Sequence, residues 1–134
     1  MNRVSAFALI GLVALAPAGC GTAERERDVT EVVERFHGAL EQQDGAAACE
    51  ELTEETRSEL ESLREQACEE AILTLGLPAG GQPVNQRVYE TSAAVDLAEG
   101  TTDFLDEGSQ GWTISAAGCE STAPEQPYDC MLKG

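Results

Sequence analysis

Basic residues are scarce in this chain. Eight Lys and Arg stand against 25 Asp and Glu, which gives a formal net charge of −17. Proteins that bind nucleic acids gain affinity from Lys and Arg that neutralise phosphates, so this charge argues against a nucleic-acid partner. It argues equally against docking on anionic lipid headgroups. The charge therefore indicates a strongly solvated, acidic surface.

Histidine and recognisable catalytic motifs are scarce as well. The chain has one histidine, and its five cysteines form no Cys-x-x-Cys pair. One histidine and scattered thiols lack the ligand spacing of a zinc site. A phosphate-binding glycine loop and a Gly-x-Ser-x-Gly elbow are also missing from the sequence. We therefore predict no catalytic residue, no bound metal and no cofactor.

An apolar run near the start of the chain is too short to span a bilayer. It extends from Val4 to Ala16 behind the short basic segment Met1–Arg3, as in a signal peptide. Two small residues, Ala18 and Gly19, then precede Cys20, as a lipoprotein peptidase requires. We interpret residues 1–19 as a lipoprotein signal peptide and Cys20 as the lipid attachment site.

Two alternatives to this interpretation remain open. Ala16-Pro17-Ala18 is itself an A-x-A site for ordinary secretion, and the apolar run could stay as an uncleaved anchor. With lipidation, the protein lies on the extracytoplasmic face of the cell membrane and is held there by its lipid. Residues 20–27 are then the lipidated cysteine and a short polar tether, and residues 28–134 form a single domain.

The first half of that domain has helical periodicity. One apolar stripe begins at Val29, and its members are Val29, Val32, Val33, Phe36 and Leu40. Asp28 can cap this helix, and Asp44-Gly45 stops it because glycine takes a left-handed turn without strain. A short helix follows, and Thr53 caps a third one. The residues expected on the buried face of that helix are Leu60, Leu63, Ala67 and Ala71.

After Pro83 the period changes from 3.6 residues to 2. Five short strands are predicted, in the segments 84–90, 93–97, 101–105, 112–116 and 128–132. Helices followed by a run of strands predict an α+β fold with the N-terminal helices packed on an antiparallel sheet.

Several short motifs resemble the nuclear transport factor 2-like superfamily. The helix segment Val32–Leu40, the following Asp44–Cys49 and the tryptophan strand within Gly111–Cys119 carry the resemblance. The ending Gly111–Cys119, followed by Pro127–Cys130, resembles small uncharacterised actinobacterial lipoproteins of that fold. The similarity covers about residues 29–133 and implies a cone of helices on a curved sheet with a pocket between them. It implies no single activity, because the fold hosts enzymes, binders and assembly modules.

Without Cys20, an even number of cysteines remains: Cys49, Cys68, Cys119 and Cys130. In an oxidising compartment they indicate a disulfide framework, for which three pairings exist. We favour Cys49–Cys68, which would join two helices, and Cys119–Cys130, which would close a proline-containing loop.

His37 is the one candidate for proton-transfer chemistry. It lies beside the apolar stripe and could point into a pocket, with Tyr89 and Asp96 on the first two strands as partners. The plainer interpretation is a half-exposed histidine at the helix edge, dispensable for function. Asp103, Asp106 and Glu107 crowd a predicted turn, but they lack the spacing of a calcium-binding EF-hand loop.

Two function classes are consistent with these features. The first is a non-catalytic, lipid-anchored module of the bacterial cell envelope that binds a partner protein, a cell-wall component or a small ligand. The second is a small isomerase or dehydratase that uses His37. The absence of a partner recognisable by motif favours the first class.

We predict that Cys20 is the mature N-terminus and carries lipid. Each buried methylene adds roughly 0.8 kcal/mol of membrane affinity, so several acyl chains on one cysteine anchor a protein durably. Intact-mass measurement on the membrane fraction should find a chain that starts at Cys20 and carries the acyl mass. A mature chain that begins at Gly19 with a free Cys20 thiol would contradict this prediction.

Overall fold

The computed structural model describes residues 20–134, and the signal-peptide interpretation of residues 1–19 lies outside this part. The helices are α1 (Cys20–Glu41), α2 (Gly45–Glu50), α3 (Glu54–Arg64) and α4 (Cys68–Ala71), and α4 continues into a 3₁₀ turn (Ile72–Thr74). The strands are β1 (Pro83–Val88), β2 (Ser92–Leu97), β3 (Thr102–Gly108), β4 (Gly111–Glu120) and β5 (Asp129–Lys133). No helix in the described part has the length and apolarity needed to cross a membrane.

Helix α1 carries the predicted apolar stripe but starts earlier than the sequence indicates. Val29, Val33 and Phe36 are fully buried. The segment 20–27, expected to be a tether, is helical and continuous with the stripe. It contains good helix formers, and the Arg25 side chain is held by the carboxylate of Glu107 on β3. Residues 20–27 therefore belong to α1, and the helix does not start at a cap on Asp28.

Between α1 and α2, the left-handed residue is not the predicted Gly45. Gln43 takes the left-handed conformation, with φ of 58°, and Asp44 caps α2 by accepting from the backbone N–H of Ala47. Gly45 is the first residue of α2. A Cβ on Gly45 would lie 1.9 Å from the carbonyl oxygen of Glu69. This glycine is thus required by the close approach of α4.

Helix α3 ends sooner than its apolar spacing predicts. Thr53 caps it as expected, and Leu60 is buried. The chain then turns at Glu65, whose φ is 51°, so the residues beyond it leave the helical register. Ala67, beyond this turn, is exposed, and Leu63 in the last turn of α3 is 72% exposed, so the prediction that both are buried is wrong.

The five strands form one antiparallel sheet in the order β1-β2-β3-β4-β5. The helices pack against this sheet, so the predicted α+β class is confirmed. The sheet is not strongly curled, which makes it flatter than a cone requires. From the sheet, the core receives Ala93, Val95, Leu97, Leu105, Trp112, Ile114, Ala117 and Leu132.

Both favoured disulfides are present in the structure. Cys49–Cys68 joins α2 to α4, and Cys119–Cys130 joins β4 to β5. A bridge stabilises the fold mainly by restricting the unfolded chain. Disulfides of this kind persist in oxidising compartments, so they support an extracytoplasmic location.

We predict that replacing both Cys119 and Cys130 by Ser lowers the stability by about 3 kcal/mol, the chain-entropy value for a short loop. The separation in sequence is 11 residues, and the fold should persist because the core remains. Thermal melting should show a decrease of roughly 10–20 °C. The matched Cys49→Ser, Cys68→Ser variant should lose a similar amount. Non-reducing peptide mapping that joins Cys49 to Cys130 would contradict the pairing.

Candidate functional site

His37 lies inside the protein, between α1 and the sheet. Its exposed fraction is 1%, so the prediction of a half-exposed histidine at the helix edge is wrong. It follows Phe36 on the buried side of α1, and the two rings meet edge to face with centroids 5.1 Å apart. The helix thus directs a polar ring into an otherwise apolar interface.

Both ring nitrogens of His37 have partners. Nδ1 lies 2.7 Å from the carbonyl oxygen of Pro78, and Nε2 lies 2.5 Å from Oδ2 of Asp103. A carbonyl oxygen only accepts, so Nδ1 carries a proton. An ionised carboxylate also only accepts, and the arrangement then requires a second proton on Nε2. With an ionised Asp103, the geometry fits an imidazolium–carboxylate pair.

Asp103 is the buried partner that completes this pair. Its exposed fraction is 0%, and its second oxygen, Oδ1, accepts the backbone N–H of Gly118 at 3.0 Å. A buried charge without such partners would be strongly unfavourable. We refer to His37, Asp103, Pro78 and Gly118 together as the buried pair site.

Glycine is required on both sides of the buried pair site. The register between β3 and β4 shifts near Gly118, whose φ is 64°, and a Cβ there would lie 2.8 Å from Leu77. A Cβ on Gly81 would lie 2.9 Å from Nδ1 of His37. The irregular strand aims an N–H at Asp103, and the segment around Gly81 covers the imidazole ring.

The pKa of His37 reflects opposing influences. Burial lowers it, but the hydrogen bond and charge of Asp103, together with the Pro78 carbonyl and the charge of Glu99, outweigh burial. The pKa of His37 is therefore raised above its ordinary value of 6.5. The pair can hold a proton, but its atoms lie out of reach of solvent.

The structure does not bring the other two candidate residues to His37. Tyr89 follows β1 and is 62% exposed. Asp96 on β2 forms an ion pair with Arg87 and accepts hydrogen bonds from Asn85 and Thr102. The hydrogen bond from Arg87, helped by those from Asn85 and Thr102, holds the pKa of Asp96 far below its usual range. The expected grouping of His37 with Tyr89 and Asp96 is therefore replaced by the pairing with Asp103.

Sequence reasoning misses the role of Asp103 because other acids follow it closely in the chain. Asp106 and Glu107 are exposed, whereas Asp103 points into the core beside Leu105, with which it shares a strand face by alternation. That alternation was the available signal: an acid on a core-facing position needs a buried partner. In the described part of the chain, His, Cys, Asp and Glu form no group of three or more that could hold a metal ion.

Two of the open grooves on the described part of the surface are large. The first, of about 860 Å³, lies between the start of α3 and the β3–β4 turn, and we call it the α3 groove. Its acidic lining residues are Glu50, Glu54, Glu55, Asp106 and Glu107. The second, of about 690 Å³, lies between α1 and α2. His37 lines neither groove.

Arg25 connects the start of α1 to the turns of the sheet. Its guanidinium donates to the backbone carbonyls of Tyr89 and Glu90 and forms a 2.8 Å ion pair with Glu107. It also lies over the Trp112 ring, 5.2 Å from the centroid. We call this set of contacts the Arg25 clamp.

Comparison with protein-family models, with curated proteins and with solved structures found no match for this chain. The fold and the site themselves define its class. It is a disulfide-bonded α+β domain of N-terminal helices on a five-stranded antiparallel sheet, with a histidine–aspartate pair sealed in its core.

We predict opposite pH profiles of stability for the wild type and Asp103→Asn. A raised His37 pKa means that the folded wild type holds a proton that the unfolded chain releases above about pH 6.5. Its free energy of unfolding should therefore fall as the pH rises through the folded pKa. In Asp103→Asn, the amide oxygen can still accept from Gly118 and the amide N–H can donate to Nε2 of His37, while Nδ1 still donates to Pro78. This pattern requires a neutral imidazole. The variant should therefore lose stability as the pH falls below about 6.5. Urea denaturation at a series of pH values measures both slopes.

His37→Ala is the control for this prediction. It leaves the Asp103 carboxylate buried without its imidazole partner, which should cost about 3–5 kcal/mol at neutral pH. Parallel pH profiles for the wild type and Asp103→Asn would contradict the ion pair.

Proposed function

We propose that this protein is a non-catalytic binding or structural module of the bacterial cell envelope, anchored by lipid on Cys20. The observation that carries the non-catalytic part is the sealed His37–Asp103 pair. A general base must reach the proton that it abstracts, directly or through a single water. Both ring nitrogens of the single histidine are instead occupied within the core.

The envelope location rests on two independent observations. The disulfides Cys49–Cys68 and Cys119–Cys130 are typical of an oxidising compartment. The apolar run that ends in Ala18-Gly19-Cys20 supports export and lipidation. Without the leader, Arg3 is lost and the formal net charge changes from −17 to −18. An anionic bilayer would not hold so acidic a domain electrostatically, which favours anchoring by lipid.

The nuclear transport factor 2-like superfamily is our proposal for the evolutionary relationship. The order of elements supports it, because α1 with its Val32–Leu40 motif precedes an antiparallel sheet that contains the Trp112 strand. The weak curl of the sheet separates this domain from members with a deep pocket between helices and sheet. In this proposal, binding takes place on the outer surface.

The grooves are the surfaces best suited to a partner. The α3 groove has the volume of a small-ligand site, and acceptor oxygens dominate its charged lining. An anionic ligand or a nucleic acid would be repelled there. An envelope protein or a small neutral or cationic ligand is therefore the proposed partner.

One observation favours the second candidate, an isomerase or dehydratase that uses His37. A histidine oriented by a buried aspartate is an arrangement that acid–base enzymes use. Catalysis would require the segment around Gly81 to open, because it covers the imidazole ring. The two candidates differ in what Asp103 must supply: hydrogen bonds alone, or also a charge that stabilises imidazolium.

Complementation by Asp103→Asn distinguishes the two functions. The variant retains the hydrogen-bonding pattern, so a non-catalytic module should restore the competitive fitness of a deletion strain to the wild-type level at neutral pH. An acid–base enzyme should fail, since the equivalent change in a serine protease triad lowers kcat by about 10⁴-fold. Cys20→Ser serves as the control for lipidation and should lack the acyl mass. A folded Asp103→Asn protein that fails to complement would contradict the non-catalytic function.

A further inference from the structure

We propose that one end of the domain faces the bilayer at short range, and that the Arg25 clamp fixes this orientation. This end consists of the β1–β2 turn (residues 89–91) and the β3–β4 turn (residues 108–111), and we call it the turn end. The inference rests on the proposed lipid anchor at Cys20 and adds the surface that meets the membrane.

The first step is the position of the clamp in the fold. Arg25 donates to carbonyls of the β1–β2 turn and pairs with Glu107, which lies next to the β3–β4 turn. The side chains of Arg25 and Glu107 are only 35% and 38% exposed, so this ion pair is partly shielded from solvent. The clamp thus joins both turns to the beginning of α1.

The second step is the short chain between the clamp and the anchor. Arg25 is five residues after Cys20, and both belong to α1. A helical rise of 1.5 Å per residue places their Cα atoms about 8 Å apart along the axis. Even a fully extended chain would separate them by no more than about 18 Å. The lipid anchor therefore cannot be far from the turn end.

The third step concerns the distance from the anchored end of α1 to its opposite end. The helix contains 22 residues and is therefore about 33 Å long. Gln42 is exposed at that distant end, next to the groove between α1 and α2. The two ends of the domain should therefore stand at different heights above a bilayer.

The chemistry of the turn end fits a neutral or zwitterionic lipid surface. Tyr89 is 62% exposed there, although aromatic residues form only 4% of the sequence. Tyrosine is enriched at membrane interfaces, where its ring and hydroxyl suit the mixed environment. Arg25 compensates the charge of Glu107, and Glu90 leaves the turn end with negative charge, so anionic lipids should repel this end.

Energy transfer from tryptophan to a dansyl-labelled lipid measures this orientation. Trp112 is the only tryptophan, and it lies against Arg25 at the turn end. The lipoprotein is purified from the membrane fraction and reconstituted in phosphatidylcholine vesicles. The matched variant Trp112→Phe with Gln42→Trp moves the donor to the distant end of α1. Circular dichroism confirms that both proteins are folded.

We expect transfer from Trp112 to exceed transfer from Trp at position 42 by roughly threefold or more, because the positions differ by about 25 Å along the helix. Arg25→Ala should reduce this ratio, since it removes the clamp but leaves the anchor. Anionic vesicles should lower the transfer from Trp112. Equal transfer from the two positions, or stronger transfer from position 42, would overturn the proposed orientation.

A second experiment tests the orientation independently of whether Cys20 is lipidated in the cell. If intact mass shows no lipid on Cys20, its thiol is coupled to a maleimide phospholipid, because the other four cysteines are in disulfides. The same transfer ratio then tests the orientation with a chemical anchor. A missing native lipid would thus contradict the proposed function, whereas a ratio near one would contradict the orientation.

Discussion

The charge pair between His37 and Asp103 is the interaction on which the packing of this protein depends. It lies where α1 meets the sheet, and neither residue has appreciable contact with solvent. A buried pair of this kind adds little net stability, but either partner alone would be a large penalty. It therefore ties the position of α1 to that of β3. The irregular strand at Gly118 and the covering segment at Pro78 supply its remaining hydrogen bonds.

Covalent and ionic links hold the rest of the domain around this pair. The two disulfides join α2 to α4 and β4 to β5, while the Arg25 clamp joins the first turns of α1 to the sheet. Helix α1 is therefore fixed to the sheet at two places, by Arg25 and by His37. A domain of this size has a limited core, so such links matter for its stability. They also make the helix that follows the proposed anchor a rigid part of the domain.

The site was only partly predictable from the sequence. His37 was a candidate because it is the one histidine and lies next to an apolar stripe, but helical spacing does not settle whether an edge residue is covered. Its covering comes from Pro78 and Gly81, about 40 residues later in the chain. Asp103 was harder to recognise because other acids lie close to it in the chain. It is two residues before Leu105, and this spacing places both on the core-facing side of the strand. The partner of a buried charge follows from strand register and cannot be inferred from motifs.

The sequence by itself determined the α+β class, the five strands, the stripe of α1 and the cysteine framework, because each depends on local periodicity or on parity. Only the tertiary structure decided that residues 20–27 are helical, that Leu63 is exposed and that Gly45 is needed for close packing against Glu69. It alone decided that His37 pairs with Asp103. These features depend on contacts between residues far apart in the chain, and local propensity contains no information about which distant groups will meet.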